Sequence, residues 1–299
     1  MKENQIDVIV LTHNRVELLQ KCLLSIRNSK NLDDYVMNVI VVDNASNDGT
    51  EEMIRNKFSN VTYIRNDKNL YPCISQWKGF SSSDGKYVMR VDDDNEIDEN
   101  CIFNLIQPFL NDSKIAFCGT IGITDSGELS TNIGSYFKGF LKLRYLPQFK
   151  KISDVGVEVY EVQSVDNVYC FLRSVVSMEE WKRPCQWISW SMEDLLQQFL
   201  ANDRGYRIVI NPKSLTKHHQ ISRTYPRPTL ILGTLRSKII VLKVHYKYRN
   251  VKLIFASLLF AILLYAHWVF NSPDKIKVVG KGIKIFRTLV DALSIDTNH

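Results

Sequence analysis

Between residues 6 and 123, apolar runs of strand length alternate with stretches whose apolar residues recur at helical spacing. The runs are 6–12 (IDVIVLT), 36–46, 60–67, 85–91 and 114–123; the helical stretches are 15–29, 48–58, 71–83 and 98–110. Runs that are apolar throughout belong to strands covered on both faces, and strands that alternate with helices belong to an α/β sheet. The expected fold is therefore a mostly parallel sheet flanked by helices. Such sheets collect ligands at the carboxyl ends of their strands. Three polar clusters fall there: THNR (12–15), DNASNDGT (43–50) and DDDNEID (92–98).

The chain has 299 residues, 45% of them hydrophobic, which suffices for one large domain or two small ones. Its six cysteines, at 22, 73, 101, 118, 170 and 185, form no CxxC pair. The spacing argues against a zinc cluster or a disulfide framework and for reduced, mostly buried thiols in a cytoplasmic protein. The apolar run after MKENQ is too short for the core of a signal peptide, so none is expected.

The run RVDDDNEID (90–98) concentrates negative charge after a strand. A plain turn uses Asn, Gly or one Asp, and a solvated acidic turn ahead of a helix remains open. The other reading is a hard divalent cation, Mg2+ or Mn2+, which takes oxygen ligands and bridges to phosphate. On an extended segment Asp92 and Asp94 share a face and Asp93 points away, which marks Asp93 as dispensable.

The blocks VIVLTHNRVELLQKCLLSI, VIVVDNASNDGTEEMI and RNDKNL…GKYVMRVDDD occur in order, and together they resemble the family 2 glycosyltransferases, nucleotide-sugar enzymes of the GT-A fold. The resemblance spans about residues 5–220. It implies a glycosyltransferase domain over residues 1–225. It makes Asp92-x-Asp94 the DxD motif, with Asp94 on the metal and Asp92 near ribose and metal. It implies that Thr12, Asn14 and Arg15 line the nucleotide site, that Asp43 accepts a hydrogen bond from the base, and that Asn69 flanks the same pocket. In SWSMEDLLQQFLANDRGYRIVINPKSLTKHH (189–219) it makes Asp194 the general base, with Glu193 beside it, and His218 a further metal ligand, with His219 as the alternative. Leu196, Leu200 and Trp77 stand where many members carry other residue types, so sugar and acceptor are not read from these positions.

The implied reaction is inverting, metal-assisted transfer from a nucleotide diphosphate sugar to a hydroxyl of a glycan or polyprenyl-linked acceptor. Transfer to a polyprenyl phosphate is the alternative, although such an acceptor needs no base and the Glu193–Asp194 pair favours a hydroxyl.

Charge is divided unevenly. From Arg204 onward there are 17 Lys/Arg against 3 Asp/Glu, while the rest of the chain carries 21 against 29. Leu253–Phe270 is an apolar run of eighteen residues with basic flanks on both sides, followed by a basic amphipathic stretch at 275–293. Residues 226–299 are thus expected to be helical and membrane-associating. Two basic flanks fit docking on the cytoplasmic face better than a single span. No nucleic-acid motif accompanies the basic residues, so a nucleic-acid partner is not expected.

Overall fold

In a computed structural model the described residues are 1–130, 135–138, 142–145, 155–185, 188, 193–219, 287, 288, 290, 291 and 294. The chain begins β1 (Lys2–Thr12), α1 (Val16–Arg27), β2 (Val36–Asp43), α2 (Thr50–Lys57), β3 (Thr62–Arg65), α3 (Tyr71–Ser81) and β4 (Gly85–Asp92). It continues with β5 (Asn95–Ile97), α4 (Cys101–Asn111), β6 (Ile115–Thr124), β7 (Ser135–Lys138), β8 (Lys142–Tyr145), β9 (Tyr160–Val162) and β10 (Val168–Leu172). Then come α5 (Met178–Cys185), α6 (Glu193–Asp203) and β11 (Arg207–His218).

The main sheet runs β3-β2-β1-β4-β10-β6-β11-β5, with β9 also paired to β11; β7 and β8 form a separate antiparallel pair. Strands β3, β2, β1 and β4 are mutually parallel, as the alternating pattern predicts. Beyond β4 the expectation of a mostly parallel sheet is corrected. β10 inserts antiparallel between β4 and β6, and β11 is antiparallel to both β5 and β9. The physical reason is connectivity. A parallel neighbour requires a crossover, whereas β10, which follows β9 in the chain, enters the sheet from the end opposite to that of β4 and β6.

Both faces of the sheet are buried. On β1, Ile6, Val8 and Val10 face Leu19, Leu23 and Ile26 of α1, with Met53 of α2 and Leu105 of α4 in the same core. Ile9 points the other way, into a core with Cys73 and Phe80 of α3, Trp181 of α5 and Leu196 of α6. Burial of both faces along one strand is why the run reads as apolar apart from Asp7, which is buried and accepts from Gln5 and from the Asp84 and Gly85 N–H groups.

The cysteine expectation is also corrected. Cys73 on α3 and Cys185 at the end of α5 are joined in a disulfide, with their Cα atoms 5.1 Å apart and 112 residues between them in sequence. Both helices cover the same face of the sheet, a proximity that linear spacing does not encode. Cys22, Cys101, Cys118 and Cys170 are free and buried, as expected.

Among the described residues, no helix is long and apolar enough to cross a membrane. The apolar run Leu253–Phe270, the basic stretch after it apart from the helical residues 287, 288, 290 and 291, and the boundary near residue 225 lie outside the described residues.

Helix α3 approaches the sheet closely at Gly79. A Cβ built there would lie 2.4 Å from Ile9 Cγ2 and 3.0 Å from Val42 Cγ2. Both neighbours are buried, β-branched strand residues with little freedom to yield. Gly79→Ala is therefore expected to cost about 1–3 kcal/mol of stability by overpacking, read as a lower urea midpoint with an unchanged m-value.

Candidate active site

Parallel register brings four strand ends into one line. Thr12 pairs with Asp43, Asp43 with Arg65, and Leu11 with Asp92. At roughly 4.8 Å per strand, the edge from Arg65 to Asp92 extends over about 14 Å.

The loops after β1 and β2 clasp each other. The Asn14 backbone N–H donates to Ser46 Oγ (2.9 Å), and Asn14 Oδ1 accepts from the Asn47 N–H (2.8 Å). Asn14 has φ +52°, a left-handed conformation that Asn tolerates better than most residues. Asp48 accepts from the Val16 N–H at 2.9 Å, satisfying a donor in the first turn of α1. This clasp sets Arg15 at the start of α1, aimed across the sheet edge at the acidic run.

There the structure differs from the extended reading. Asp93 and Asp94 form a turn between β4 and β5, so alternation stops at Asp92. Asp92 pairs back onto its own strand with Arg90, at 2.9 Å to Nε and 2.8 Å to Nη2. Asp93, expected to be dispensable, is buried and is the most enclosed of the three. It accepts from Thr12 Oγ1 at 2.7 Å and from Arg15 Nη1 at 2.9 Å. The same Arg15 nitrogen reaches Asp94 Oδ2 at 3.2 Å.

Burial, reinforced by the Asp94 charge, pushes the Asp93 carboxyl up to about 6, against the opposing pull of Arg15 and Thr12. Asp94 moves the other way. Its burial is outweighed by the His218 hydrogen bond and the Arg15 charge, and the net direction is down. Asp94 in turn raises His218, against the effect of burial.

The far side of the site comes from β11. Its last residues pair with both β6 and β5, setting His218 opposite Asn95 and, across the other edge, Thr124. His218 Nε2 lies 3.7 Å from Asp94 Oδ1. His219 is committed elsewhere: its backbone N–H donates to the Asp94 carbonyl at 2.8 Å, and its ring nitrogens contact Glu96 (2.5 Å) and Asp125 (2.9 Å). Between the two histidines, the geometry turns His218 toward the acidic turn.

Among the described residues, no three His, Cys, Asp or Glu side chains converge to hold a metal by themselves. Asp94 and His218 come together, and Asp92 pairs with Arg90 of its own strand while its charge also acts on His218. Two protein donors are compatible with a hard cation that completes its shell with substrate phosphate and water.

At the other end of the edge, Asp43 is fully buried. Its Oδ1 accepts from the Ser46 N–H (2.8 Å), and its Oδ2 accepts from Tyr63 Oη (2.5 Å) and Arg65 Nη1 (2.8 Å). Asn69 Oδ1 accepts from Asn44 Nδ2 (2.8 Å) and the Tyr71 N–H (2.9 Å), which ties the loop before α3 to the end of β2. Reading the clusters one by one missed Tyr63, Arg65 and Asp93 as site residues. The signal for the first two was available, because residues i and i+2 of β3 share a face: Arg65 lies opposite Asp43 in the register, and Tyr63, opposite Val41, reaches the same carboxylate with its hydroxyl.

Glu193 and Asp194 occupy the first two positions of α6, which Gly205 follows at φ +84° in the expected stop position. Their side chains, like residues 189–192, lie outside those described.

Comparison with known proteins gives a consistent picture. The family model described as glycosyl transferase family 2 matches residues 7–158. The abequosyltransferase RfbV of Salmonella typhimurium is 29% identical over 185 residues, covering 59% of this chain and 54% of that protein. The GalNAc(5)-diNAcBac-PP-undecaprenol β-1,3-glucosyltransferase of Campylobacter jejuni is 29% identical over 130 residues, covering 42% of this chain and 41% of that protein. The chain thus spans about half the length, or less, of these curated relatives. The fold is similar to that of GalNAc-T7, solved with UDP, GalNAc and Mn2+, at a TM-score of 0.62 and 15% identity over 82% of this chain and 51% of that one. It is also similar to S. aureus TarS 1-349 in complex with UDP-GlcNAc, at a TM-score of 0.59 and 16% identity over 98% of this chain and 81% of that one.

The raised Asp93 carboxyl has a measurable sign. A folded-state value of about 6 against an ordinary 3.8 means the folded chain holds this proton more tightly than the unfolded chain. Its contribution to stability is intact below about pH 4 and is lost as pH rises through about 6. The stability of wild type relative to Asp93→Asn is expected to fall across that window and flatten above it, in denaturation curves taken with chelator present.

Proposed function

Because this chain belongs to glycosyl transferase family 2, we propose that it is an inverting glycosyltransferase that moves a sugar from a nucleotide diphosphate sugar to a hydroxyl of a glycan or lipid-linked acceptor. The observation that carries this reading is the aligned strand-end row Arg65–Asp43–Thr12–Asp92, closed at one end by Arg15, Asp94 and His218. A nucleoside diphosphate laid along it has its base at the β2/β3 end and its phosphates at the acidic turn.

At that turn the Arg15 guanidinium, held by Asp93 and Asp94, is a fixed cation facing the phosphates. Asp94 and His218 are the residues that would hold a divalent ion, Mg2+ or Mn2+, which when bound supplies positive charge against the leaving diphosphate. Asp92 keeps the end of β4 in place through Arg90.

Asp194, at the start of α6, is the proposed general base, with Glu193 beside it. Asp194 takes the proton of the acceptor hydroxyl. The acceptor oxygen then bonds to the anomeric carbon while the bond from that carbon to the diphosphate oxygen breaks on the opposite face, which inverts the configuration. The acidic pair favours a neutral hydroxyl over an anionic polyprenyl phosphate as acceptor. The C. jejuni relative carries an undecaprenol-linked sugar in its name, which supports a lipid-linked acceptor here. The basic tail and its apolar run, Leu253–Phe270, support docking on the cytoplasmic face of a membrane, with residues 1–225 as the catalytic unit.

Two substitutions test these roles. Asp194→Asn is expected to lower transfer by at least about 100-fold while nucleotide binding stays as in wild type. Asp94→Ala is expected to abolish the stimulation of both binding and transfer by Mn2+ or Mg2+. Wild-type transfer by Asp194→Asn, measured by product formation from radiolabelled donor, refutes the base assignment.

A further inference from the structure

The arrangement around Asp43 bears on which nucleotide the site takes, an inference that rests on the nucleotide-sugar reading above. Asp43 is the acidic residue at the base end of the row, yet its side chain has 0% exposure. Three hydrogen bonds occupy it: the Ser46 N–H on one oxygen, Tyr63 Oη and Arg65 Nη1 on the other. One acceptor site remains on Oδ1, but the carboxylate is enclosed, so a ligand N–H reaches it only if the groups that cover it move aside. The group presented at this place is Arg65, whose side chain is 40% exposed and sits directly over Asp43 as its register partner.

A guanidinium carries five N–H donors and no acceptor, and Asp43 uses only part of that set. Glu51 of α2 stands 4.0 Å from Arg65 Nε and helps to fix the plane of the fork. Asp43, buried and with no freedom to move away, anchors the group from below. The polarity offered to a base is thereby inverted, from an acceptor to a fork of donors.

We infer that Arg65, anchored by Asp43, is the residue that reads the base, and that it selects an edge with two adjacent acceptors and no donor between them. Cytosine offers O2 and N3 in that arrangement, and guanine offers O6 and N7, the pair that arginine grips bidentately in nucleic acids. Uracil and thymine place an N–H between their two carbonyl oxygens, so the fork meets one acceptor and a competing donor. Asp43 is then a positioning residue, and Tyr63, on the same carboxylate oxygen, keeps it in place.

The test is calorimetric titration of the full-length protein with CDP, GDP, UDP and dTDP in the presence of Mn2+. CDP or GDP is expected to bind at least about tenfold more tightly than UDP and dTDP, and which of the two does so identifies the base. Arg65→Met is expected to reduce the preferred nucleotide to the level of UDP. Arg65→Lys, which keeps a cation over Asp43 but lacks the fork, is expected to lose the preference as well, and it decides the matter if the Met variant does not fold. UDP or dTDP binding as tightly as CDP and GDP in wild type overturns the inference. So does a base preference unchanged in Arg65→Lys. Failure of wild type to bind any of the four refutes the nucleotide-sugar reading itself and is thereby distinguished from a failure confined to Arg65.

Discussion

Three consecutive carboxylates after β4 repel one another, and the chain accommodates them by giving each a different counter-group. Arg90 takes Asp92, Thr12 and Arg15 take Asp93, and Arg15 with His218 takes Asp94. Arg15 is the pivot, because one of its nitrogens touches two of the three. Its position depends on the clasp between the β1 and β2 loops, which depends on Asn14, Ser46 and Asp48. The polar clusters that look separate along the chain are thus one electrostatic unit, assembled by parallel register.

The second half of the sheet serves that unit. β11 is long enough to pair along β6 and still reach β5, across an irregularity between Ile210 and Leu215. β5 has only three residues, and its role is to follow the acidic turn at once and give β11 an edge to meet. The pairing of His218 with Asn95 is what carries an imidazole from the far end of the chain to Asp94.

The parallel half of the fold was legible in the sequence because its central strands β1 and β4 are buried on both faces and its loops carry strong turn chemistry. The resemblance to a known family was legible for a related reason, since the clusters that mark it are those strand ends. What escaped was set by contacts between distant segments. No local pattern announces that β10 inserts antiparallel or that Cys73 meets Cys185. The expected outward direction of Asp93 did not hold, because alternation was carried past the end of the strand, into a turn where it no longer applies. Thr12, Arg15, Asp94 and His218 were found as candidates, but the order of their contacts came from tertiary structure, with Arg15 central and Asp92 paired with Arg90.

The disulfide divides the site topologically. Residues 73–185 form a covalent ring that contains the whole acidic triplet, while Thr12, Arg15, Asp43 and Arg65 lie on one chain arm outside it and His218 on the other. Closing a ring of this size removes much of the freedom of the unfolded chain, on the order of 4–5 kcal/mol in the loop-entropy picture. That restraint acts on the ring alone. Asp92 finds its counter-charge, Arg90, inside the ring, but Asp93 and Asp94 acquire theirs only when the arms dock, and the fraying of either arm dismantles that part of the site while the ring stays closed.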